Sequence, residues 1–380
     1  MKKYNVKKFV IASLLVAIIC ASFLAILFGT DKTYSATTKV VVPQGKEVSV
    51  YINGNDVTKS QDGNYVAVAG STITVTVVNE SKLFSSMTIN GTKYYTAVKT
   101  LTVPSDDNQL TIEVDTQEPY AEDKGKYFGN PYVLNKEADV LAVARILAGS
   151  TNEADFNQIG ATGKTPDDIR YGYYRLGTNL FISSQEFFGL GFRGALPFGG
   201  CFDFDGYIAT INLVRTSHVN SEFSYEGSTH IADYGFFAYA YGDGVNPCLI
   251  RNVKLQGFIG LNTMNNTTVI DHVDHVNIGS VAGSAGKNIV FDGIESAVSV
   301  SAQTRYADLY VGGVFGMCSS SIEEWCDVRY DGAFNDVSGV TYGTGAGVIV
   351  GAFAGVLQNA SVNGITIDGE RSMILANALG

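Results

Sequence analysis

A six-residue pattern, Ile or Val followed by Gly and closed by a second Gly, occurs three times in the C-terminal half of the chain. The copies are IGSVAG, VGGVFG and VGAFAG, at 278–283, 311–316 and 350–355. Looser copies, YGFFAY and LQGFIG, stand at 234–239 and 255–260. Recurring units indicate one supersecondary element stacked on copies of itself, and glycine at a repeated position indicates a bend or a close backbone approach between turns. The repeat therefore predicts a stack of short strands and names no ligand.

The copies are unequally spaced. In a stacked architecture, insertions of different length map to loops that project from the stack. We therefore predict side loops at 301–310 and 331–347.

The chain is acidic, with 26 Lys and Arg against 37 Asp and Glu and a net charge of -11. Five lysines and one aspartate lie in the first 36 residues, so the remaining body is more acidic still. An acidic surface repels nucleic acid and anionic membranes. Nucleic-acid binding is therefore disfavoured.

The N-terminus has the composition of an export segment. The basic stretch MKKYNVKK precedes an uncharged apolar run at 9–29. About 21 residues at roughly 1.5 Å each are long enough to span a bilayer as a helix. Residues 1–36 are predicted to be either a signal peptide or a retained membrane anchor. Both interpretations place the remaining chain outside the cytoplasm, secreted or at the cell surface of a bacterium.

Residues 37–116 predict a small antiparallel β-sandwich. Apolar residues alternate at Ile73, Val75 and Val77, and turn signals such as Asn90-Gly91 separate the runs. The stretch GSTITVTVVNESKLFSSMTINGTKYYT at 70–96 resembles the Ig-like repeat modules of bacterial surface proteins. That resemblance implies a spacer or stalk.

A polar linker is predicted at 117–131, followed by a helix. Asn135 is expected to cap this helix, Asp139 suits its first turn, and Gly149 ends it. A second short helical turn is expected near 154–159, and strands and turns are expected from Tyr171 onward.

Two longer motifs carry a family resemblance. The first is PFGGCFDFDGYIATINL at 197–213, which follows the lone helix and a strand; the second is VGGVFGMCSSSIEEWCDVRYDG at 311–332. Together they resemble GLUG-motif-containing bacterial surface or adhesin-like proteins, which have a right-handed parallel β-helix of the pectin-lyase-like type. The resemblance covers roughly residues 132–369. It implies a β-helix over 132–380 whose N-terminal helix caps the first rung, and leaves open whether that domain is truncated.

Asp203 and Asp205 are the weak catalytic candidates. Residues two apart on a strand share a face, so the two carboxylates are candidates for binding Ca²⁺ or acting as acid and base. The resemblance adds that pectin-degrading β-helix enzymes use clustered aspartates. The same Asp-x-Asp-Gly sequence is typical of a tight turn, which the sequence favours. Only Arg193 and Arg215 are near enough in sequence to serve such a site.

Trp325, Tyr239 and Tyr241 are the binding candidates. The only tryptophan points away from Cys326 if the segment is a strand, and an exposed indole stacks on sugars. The two tyrosines belong to an aromatic cluster for which a core role is favoured. The DHVDH segment at 271–275 offers two ligands on each face, too few for a closed metal site. His218 and His230 are interpreted as exposed loop residues, and no metal or cofactor is predicted beyond the weak Ca²⁺ alternative.

Four cysteines remain after the export segment: Cys201, Cys248, Cys318 and Cys326. An exported protein permits disulfides, with the pairing left open. Buried free thiols are an equal alternative.

Taken together, the sequence predicts an all-β protein, with an Ig-like sandwich followed by a parallel β-helix or solenoid. The favoured function is adhesion, with the side loops binding a host or matrix glycan or protein, or another cell-surface component. One alternative is a lyase or hydrolase of acidic polysaccharide, and another is a structural stalk segment. Binding is favoured over catalysis because no other catalytic motif is present.

Overall fold

The computed structural model describes residues 36–54, 56–105, 109–216, 223–226, 229–263, 273–305, 307–319, 321–329, 337–341, 346–358, 361–362, 365–368 and 374–378. For 223–226, 229, 321–329 and the strands beyond 358, the description covers the backbone alone. Thr38–Gly380 forms one compact unit. Strands dominate the described residues and helices are few, so the fold is mostly β, in line with the predicted class. The predicted export segment lies outside these residues, apart from its last position.

The first nine strands form two sheets. They are β1 Thr37–Val41, β2 Val48–Asn53, β3 Val57–Lys59, β4 Tyr65–Val68, β5 Thr72–Asn79, β6 Leu83–Ile89, β7 Thr92–Tyr94, β8 Val98–Thr102 and β9 Gln109–Gln117. The sheet orders are β3-β4-β1-β9-β6-β7 and β2-β5-β8. Ile73, Val75 and Val77 are buried, as their alternation predicts, and share a core with Leu110 and Ile112 of the other sheet. β1 and β9 pair in parallel, so the prediction of an antiparallel module is wrong for this pair.

Three helices follow: α1 Glu137–Leu147, α2 Glu153–Gln158 and α3 Pro166–Arg170. The predicted cap of α1 by Asn135 is wrong. The Asp139 carboxylate instead accepts the backbone amides of Asn135 and Lys136, at 2.8 and 3.2 Å, and so satisfies the free amides before the helix. Gly149, at φ +102°, follows its C-terminus. The five-residue α3 was not predicted.

Twenty-one further strands make up the rest of the described chain. They are β10 Tyr132–Leu134, β11 Tyr173–Leu176, β12 Leu180–Ile182, β13 Cys201–Asp203, β14 Ala209–Arg215, β15 Phe223–Glu226, β16 Thr229–Tyr234, β17 Phe237–Ala240, β18 Leu249–Asn262, β19 His275–Ile278, β20 Ala282–Ala285, β21 Val290–Thr304, β22 Asp308–Gly312, β23 Phe315–Cys318, β24 Ser321–Arg329, β25 Val337–Thr341, β26 Val348–Gly351, β27 Ala354–Leu357, β28 Ser361–Val362, β29 Ile365–Asp368 and β30 Ile374–Ala378.

These strands form three sheets. The large sheet follows β10-β11-β13-β18-β21-β24-β28, joined by β12, β14, β25, β29 and β30. The second sheet is β15-β16-β19-β22-β26 and the third is β17-β20-β23-β27. From β16 onward the chain visits the second, third and large sheets in turn, and each strand pairs in parallel with its counterpart from the next round. β15 and β16 form an antiparallel hairpin.

The three strict repeat copies stack in register. Ile278 pairs with Val311, which pairs with Val350, and Tyr234 of the YGFFAY copy pairs with Ile278. The LQGFIG copy instead lies inside β18 of the large sheet. Its interpretation as a further copy of the same element is therefore wrong. The same short pattern occurs inside a continuous strand here and between two strands in the other copies.

The repeated glycines allow close approach between successive turns. A Cβ atom on Gly279 would lie 2.5 Å from the carbonyl oxygen of Val314 and 2.7 Å from the amide nitrogen of Gly316. Both neighbours are backbone atoms of the next turn, which cannot rotate away. The predicted reason for glycine here, a close backbone approach, is confirmed.

The predicted side loop at 301–310 is wrong. Residues 301–304 complete β21 and 308–310 begin β22. Ala302 and Thr304 are buried, while Ser301 and Gln303 between them are half-buried, so the polar residues are the outward members of an alternating strand. Of the other predicted loop, 337–341 is β25, and residues 331–336 and 342–345 lie outside the described residues.

Candidate functional site

Arg251 joins the first nine strands to the large sheet. Its Nη1 and Nη2 donate to the two carboxylate oxygens of Glu80 at 2.7 and 3.1 Å, and its Nε donates to Asp203 Oδ2 at 2.9 Å. The guanidinium also lies 4.0 Å from the centroid of the Phe128 ring. Burial alone would lower the pKa of Arg251, but the hydrogen bonds with Glu80 and the charge of Asp203 outweigh it and raise the pKa. Arg251 is therefore a charged clamp at this junction.

Asp203 is committed to this clamp and to a turn. It is 3% exposed, and its Oδ1 accepts the backbone amide of Asp205 at 2.7 Å and the side-chain amide of Asn252 at 2.9 Å. Asp205 is exposed, with a left-handed φ of +49°. The Asp205 Oδ2 lies 3.7 Å from the Nε of Arg175, so the two carboxylates have different cationic partners. Asp203 has the role that the turn interpretation predicts.

The other basic candidates have structural partners as well. The Arg193 Nε donates to Asp233 Oδ2 at 2.9 Å. Arg215 is 6% exposed and donates to the backbone oxygens of Gln185 and Phe187. Neither Arg193 nor Arg215 contacts Asp203.

A buried seam surrounds the clamp. Val78, Phe128 and Tyr173 pack with Leu249 and Val290 of the large sheet, and Tyr51 packs against this cluster. The Tyr51 hydroxyl donates to Asp292 Oδ2 at 3.0 Å. Burial and the charge of Asp292 raise the pKa of Tyr51, so the phenol stays protonated. The first nine strands are thus held to the large sheet by apolar packing and by buried polar contacts.

Beside this seam lies an open cleft of about 490 Å³. It is formed by five separate segments: the end of β5 with the β6–β8 region, the end of β9, the turn before β10, α3 with Tyr171 and Tyr173, and the turn before β18. Its lining combines rings and hydrogen-bonding groups, including Phe84, Tyr95, Tyr171, Gln117, Lys126, Asp167, Asp168 and Asn246. Clefts between packed modules that combine apolar area with a few polar groups are the usual form of a ligand site.

Tyr95 is the most exposed ring of the cleft, at 76%. It directly follows β7. Two residues later, the Ala97 backbone amide donates to the Val245 carbonyl at 3.0 Å, which ties this segment to the opposite wall. A large ring is therefore held at the cleft by a backbone that is fixed at both walls, an arrangement suited to stacking on a ligand.

The opposite wall is preorganised by Asp243. Its Oδ1 accepts the backbone amides of Val245 and Asn246 at 2.7 and 2.8 Å. Burial alone would raise the pKa of Asp243, but these bonds and one from the Tyr171 hydroxyl outweigh it and lower the pKa. Burial and the charge of Asp243 raise the pKa of Tyr171. The backbone of Asn246 and the ring of Tyr171 are consequently held in place before any ligand binds.

The lining of the cleft is acidic. Asp167 and Asp168 line it, and the lining lysine, Lys126, has its ammonium 3.1 Å from Asp123. This balance disfavours polyanionic ligands and favours neutral or positively charged ones.

The predicted binding tyrosines are not in this cleft. Tyr239 is half-buried, with the Arg193 guanidinium 4.2 Å from its ring centroid, and the Tyr239 and Tyr241 rings stack at 6.1 Å. One face of Tyr239 is therefore already covered. The side chain of Trp325 lies outside the described side chains, although its backbone belongs to β24.

The histidines pair with aspartates across the second sheet. His275 Nδ1 lies 3.4 Å from Asp308 Oδ2, and His230 Nδ1 lies 3.6 Å from Asp274 Oδ2. His230 belongs to β16 and is partly buried, so its interpretation as an exposed loop residue is wrong. Asp271, His272 and His218 fall outside the described residues. Within the described part of the chain, no group of three or more His, Cys, Asp or Glu residues is arranged to hold a metal ion.

Cys201, Cys248 and Cys318 are buried and form no disulfide, so the interpretation of buried thiols holds for these three. The side chain of Cys326 is not among the described side chains. Burial raises the pKa of Cys201 to about 12 and that of Cys248 well above its ordinary value. Thiols react as thiolates, so these two are expected to be inert in the folded protein.

Thiol labelling checks this expectation. In residues 37–380 carrying Cys326→Ser, a disulfide reagent at pH 8 should label no thiol within minutes in buffer and three in denaturant. Rapid labelling of the native protein would show that these cysteines are accessible.

The described residues include no helix that is both long and apolar enough to cross a membrane. Comparison with protein-family models, with curated proteins and with solved structures gives no match.

Sequence reasoning missed the cleft because its walls come from distant parts of the chain. Tyr95 and Asn246 are separated by some 150 residues. One signal was available: the pair Tyr94-Tyr95, directly after the short hairpin that Asn90-Gly91 predicts, has more aromatic area than a tight turn needs.

Proposed function

We propose that this protein is an exported bacterial cell-surface protein that binds a glycan in the cleft beside Tyr95. The single observation that carries the proposal is the cleft itself, which brings an exposed ring and fixed hydrogen-bonding groups together between two packed modules. Sugar rings have flat apolar faces that stack on aromatic side chains, and their hydroxyl groups hydrogen-bond to amides and carboxylates.

We also propose the finer architecture. The three sheets are the faces of a right-handed parallel β-helix of the GLUG-motif type, with α1 capping its first rung and an Ig-like module docked on its side. The in-register stacking of the repeat copies and the repeated order of the sheets support this proposal. Such a stack provides a rigid base, so the walls of the cleft keep their spacing.

The enzymatic alternative has less support. A lyase or hydrolase of acidic polysaccharide needs carboxylates in an open groove beside basic residues. Asp203 is instead buried against Arg251 and a turn amide, and Asp205 lies exposed, with its Oδ2 3.7 Å from the Nε of Arg175. The acidic cleft is also a poor site for a uronic acid polymer.

The test is a glycan array probed with residues 37–380, followed by affinity measurements on the best ligand. Tyr95→Ala should weaken binding roughly 30-fold, or about 2 kcal/mol, because truncating a central aromatic contact removes its stacking area.

Tyr120→Ala is the matched control. Tyr120 is 70% exposed but does not line the cleft, so its removal should leave affinity unchanged. Equal affinity of wild type and Tyr95→Ala would place the ligand elsewhere, and an array without any bound glycan would refute the function.

A further inference from the structure

A second surface, on the outward side of the large sheet, contains two neighbouring rows of uncharged residues. Side chains alternate along strands, and Ile211, Ile259 and Val298 are buried, so the residues between them face outward. The parallel registers align these outward residues into two rows. The rows are Phe181–Thr210–Gln256–Ala297 and Asn212–Phe258–Ser299.

The two rows carry no charged side chain. None of the seven positions is charged, and the nearest outward charges in these strands are Lys254 and Glu295, which pair with each other in register. A surface that binds a charged polymer needs charged side chains. Charged side chains are also what a sheet uses to prevent unwanted pairing with other strands. These rows have hydroxyl, amide and aromatic groups instead.

Phe258 is held as a platform. A Cβ on Gly260 would stand 2.5 and 2.7 Å from two carbons of the Phe258 ring, so the ring lies against the strand over this glycine. The ring is half-buried and keeps part of its surface in solvent, while Phe181, two strands away, is 57% exposed. Strands are spaced roughly 4.8 Å apart, which puts the two rings on the order of 10 Å apart across the sheet.

The polar groups beside these rings are partly prearranged. Gln256 Nε2 donates to Thr210 Oγ1 at 2.8 Å, which fixes the amide on the sheet between the two strands. Asn212 is exposed and lies in register beside Phe258. Fixed amides next to aromatic faces lose little entropy when they bind hydroxyl groups.

We propose that this outward face binds a neutral polysaccharide chain. Phe181 and Phe258 stack on its pyranose rings, and Asn212 and Gln256 hydrogen-bond its hydroxyls. A polyanion is repelled by the acidic body, and a protein partner would be expected to meet a more apolar core than these rows offer. The inference rests on the proposed glycan-binding function, and adds a contact surface separate from the cleft.

The test uses residues 37–380 and two kinds of probe: insoluble neutral glycans, namely cellulose, chitin and a β-1,3-glucan, and polygalacturonate as the charged polymer. Wild type should bind at least one neutral polymer and not polygalacturonate. Phe258→Ala and Phe181→Ala should each weaken that binding at least roughly tenfold. Phe258→Tyr, which keeps the ring, should bind like wild type.

Thermal unfolding separates binding from folding. Phe181 covers no glycine, so Phe181→Ala should lose binding without a change in melting temperature.

Wild-type binding by Phe181→Ala and Phe258→Ala, absence of binding to every neutral polymer, or equal binding of polygalacturonate would each overturn the inference. Tyr95→Ala distinguishes the two sites, because it should retain polymer binding and lose the cleft ligand. If the Phe variants bind like wild type while Tyr95→Ala still loses its ligand, this inference fails and the cleft remains.

Discussion

Replacing Arg251 with alanine is expected to lower the free energy of unfolding by about 3–5 kcal/mol. The substitution leaves the carboxylates of Glu80 and Asp203 at a partly dry junction without their cation. It also uncovers the Phe128 ring beneath the guanidinium. Urea unfolding of residues 37–380 measures the loss.

A surface ion pair provides the control. Lys82 lies 2.8 Å from Glu47 and 3.1 Å from Glu118, and is more exposed than Arg251. Exposed ion pairs are weakened by solvent and salt, so Lys82→Ala should change stability little. Should Arg251→Ala cost no more than Lys82→Ala, the clamp would not hold the junction. The double variant Arg251→Ala with Glu80→Ala should cost less than the sum of the single changes, because removing both partners leaves fewer unpaired charges.

Replacing Gly279 with alanine is expected to cost about 3 kcal/mol, because the added methyl group meets fixed backbone atoms rather than a movable side chain. The Val314 carbonyl oxygen and the Gly316 amide nitrogen belong to the next turn of the stack. Relief requires the two turns to separate, which breaks parallel hydrogen bonds between β19 and β22. Chemical unfolding should show the loss.

Gly45→Ala is the matched substitution, since a Cβ at that position meets nothing within 4 Å. It should be neutral or slightly stabilising, because alanine restricts the unfolded chain. Equal stabilities of the two variants would contradict the close approach between turns.

Local periodicity predicted the strands well. The alternation of Ile73, Val75 and Val77 identified a strand with one face in a core, and the opposite face is covered as well towards the strand's end, at Thr76 and Val78. The repeat predicted stacking of Ile278 on Val311 and Val350 for the same reason, since each copy must bury the same apolar positions.

The wrong predictions arose where a signal in the sequence did not match the geometry of the folded chain. The unequal spacing of the repeat copies suggested a loop at 301–310, yet Ser301 and Gln303 alternate with buried Ala302 and Thr304 in a strand. LQGFIG matched the repeat by its letters, although its glycines belong to a continuous strand. The α3 helix escaped because five residues are too few for a periodic signal.

The cleft could not be predicted from the sequence, for a different reason. Its charge and shape depend on contacts such as the Ala97 amide with the Val245 carbonyl, which join segments far apart in the chain. No periodicity encodes such a contact. The candidates chosen by residue type, Asp203 and Tyr239, proved to be committed to Arg251 and Arg193.

Hydroxyl-radical footprinting of residues 37–380, with and without the best glycan from the array, tests most directly whether the cleft binds the ligand. Tyr95 should be strongly protected by the ligand, since its ring is 76% exposed in the free protein, while Tyr120 should react equally in both states. Unchanged reactivity of Tyr95 at saturating glycan would contradict a binding site in the cleft.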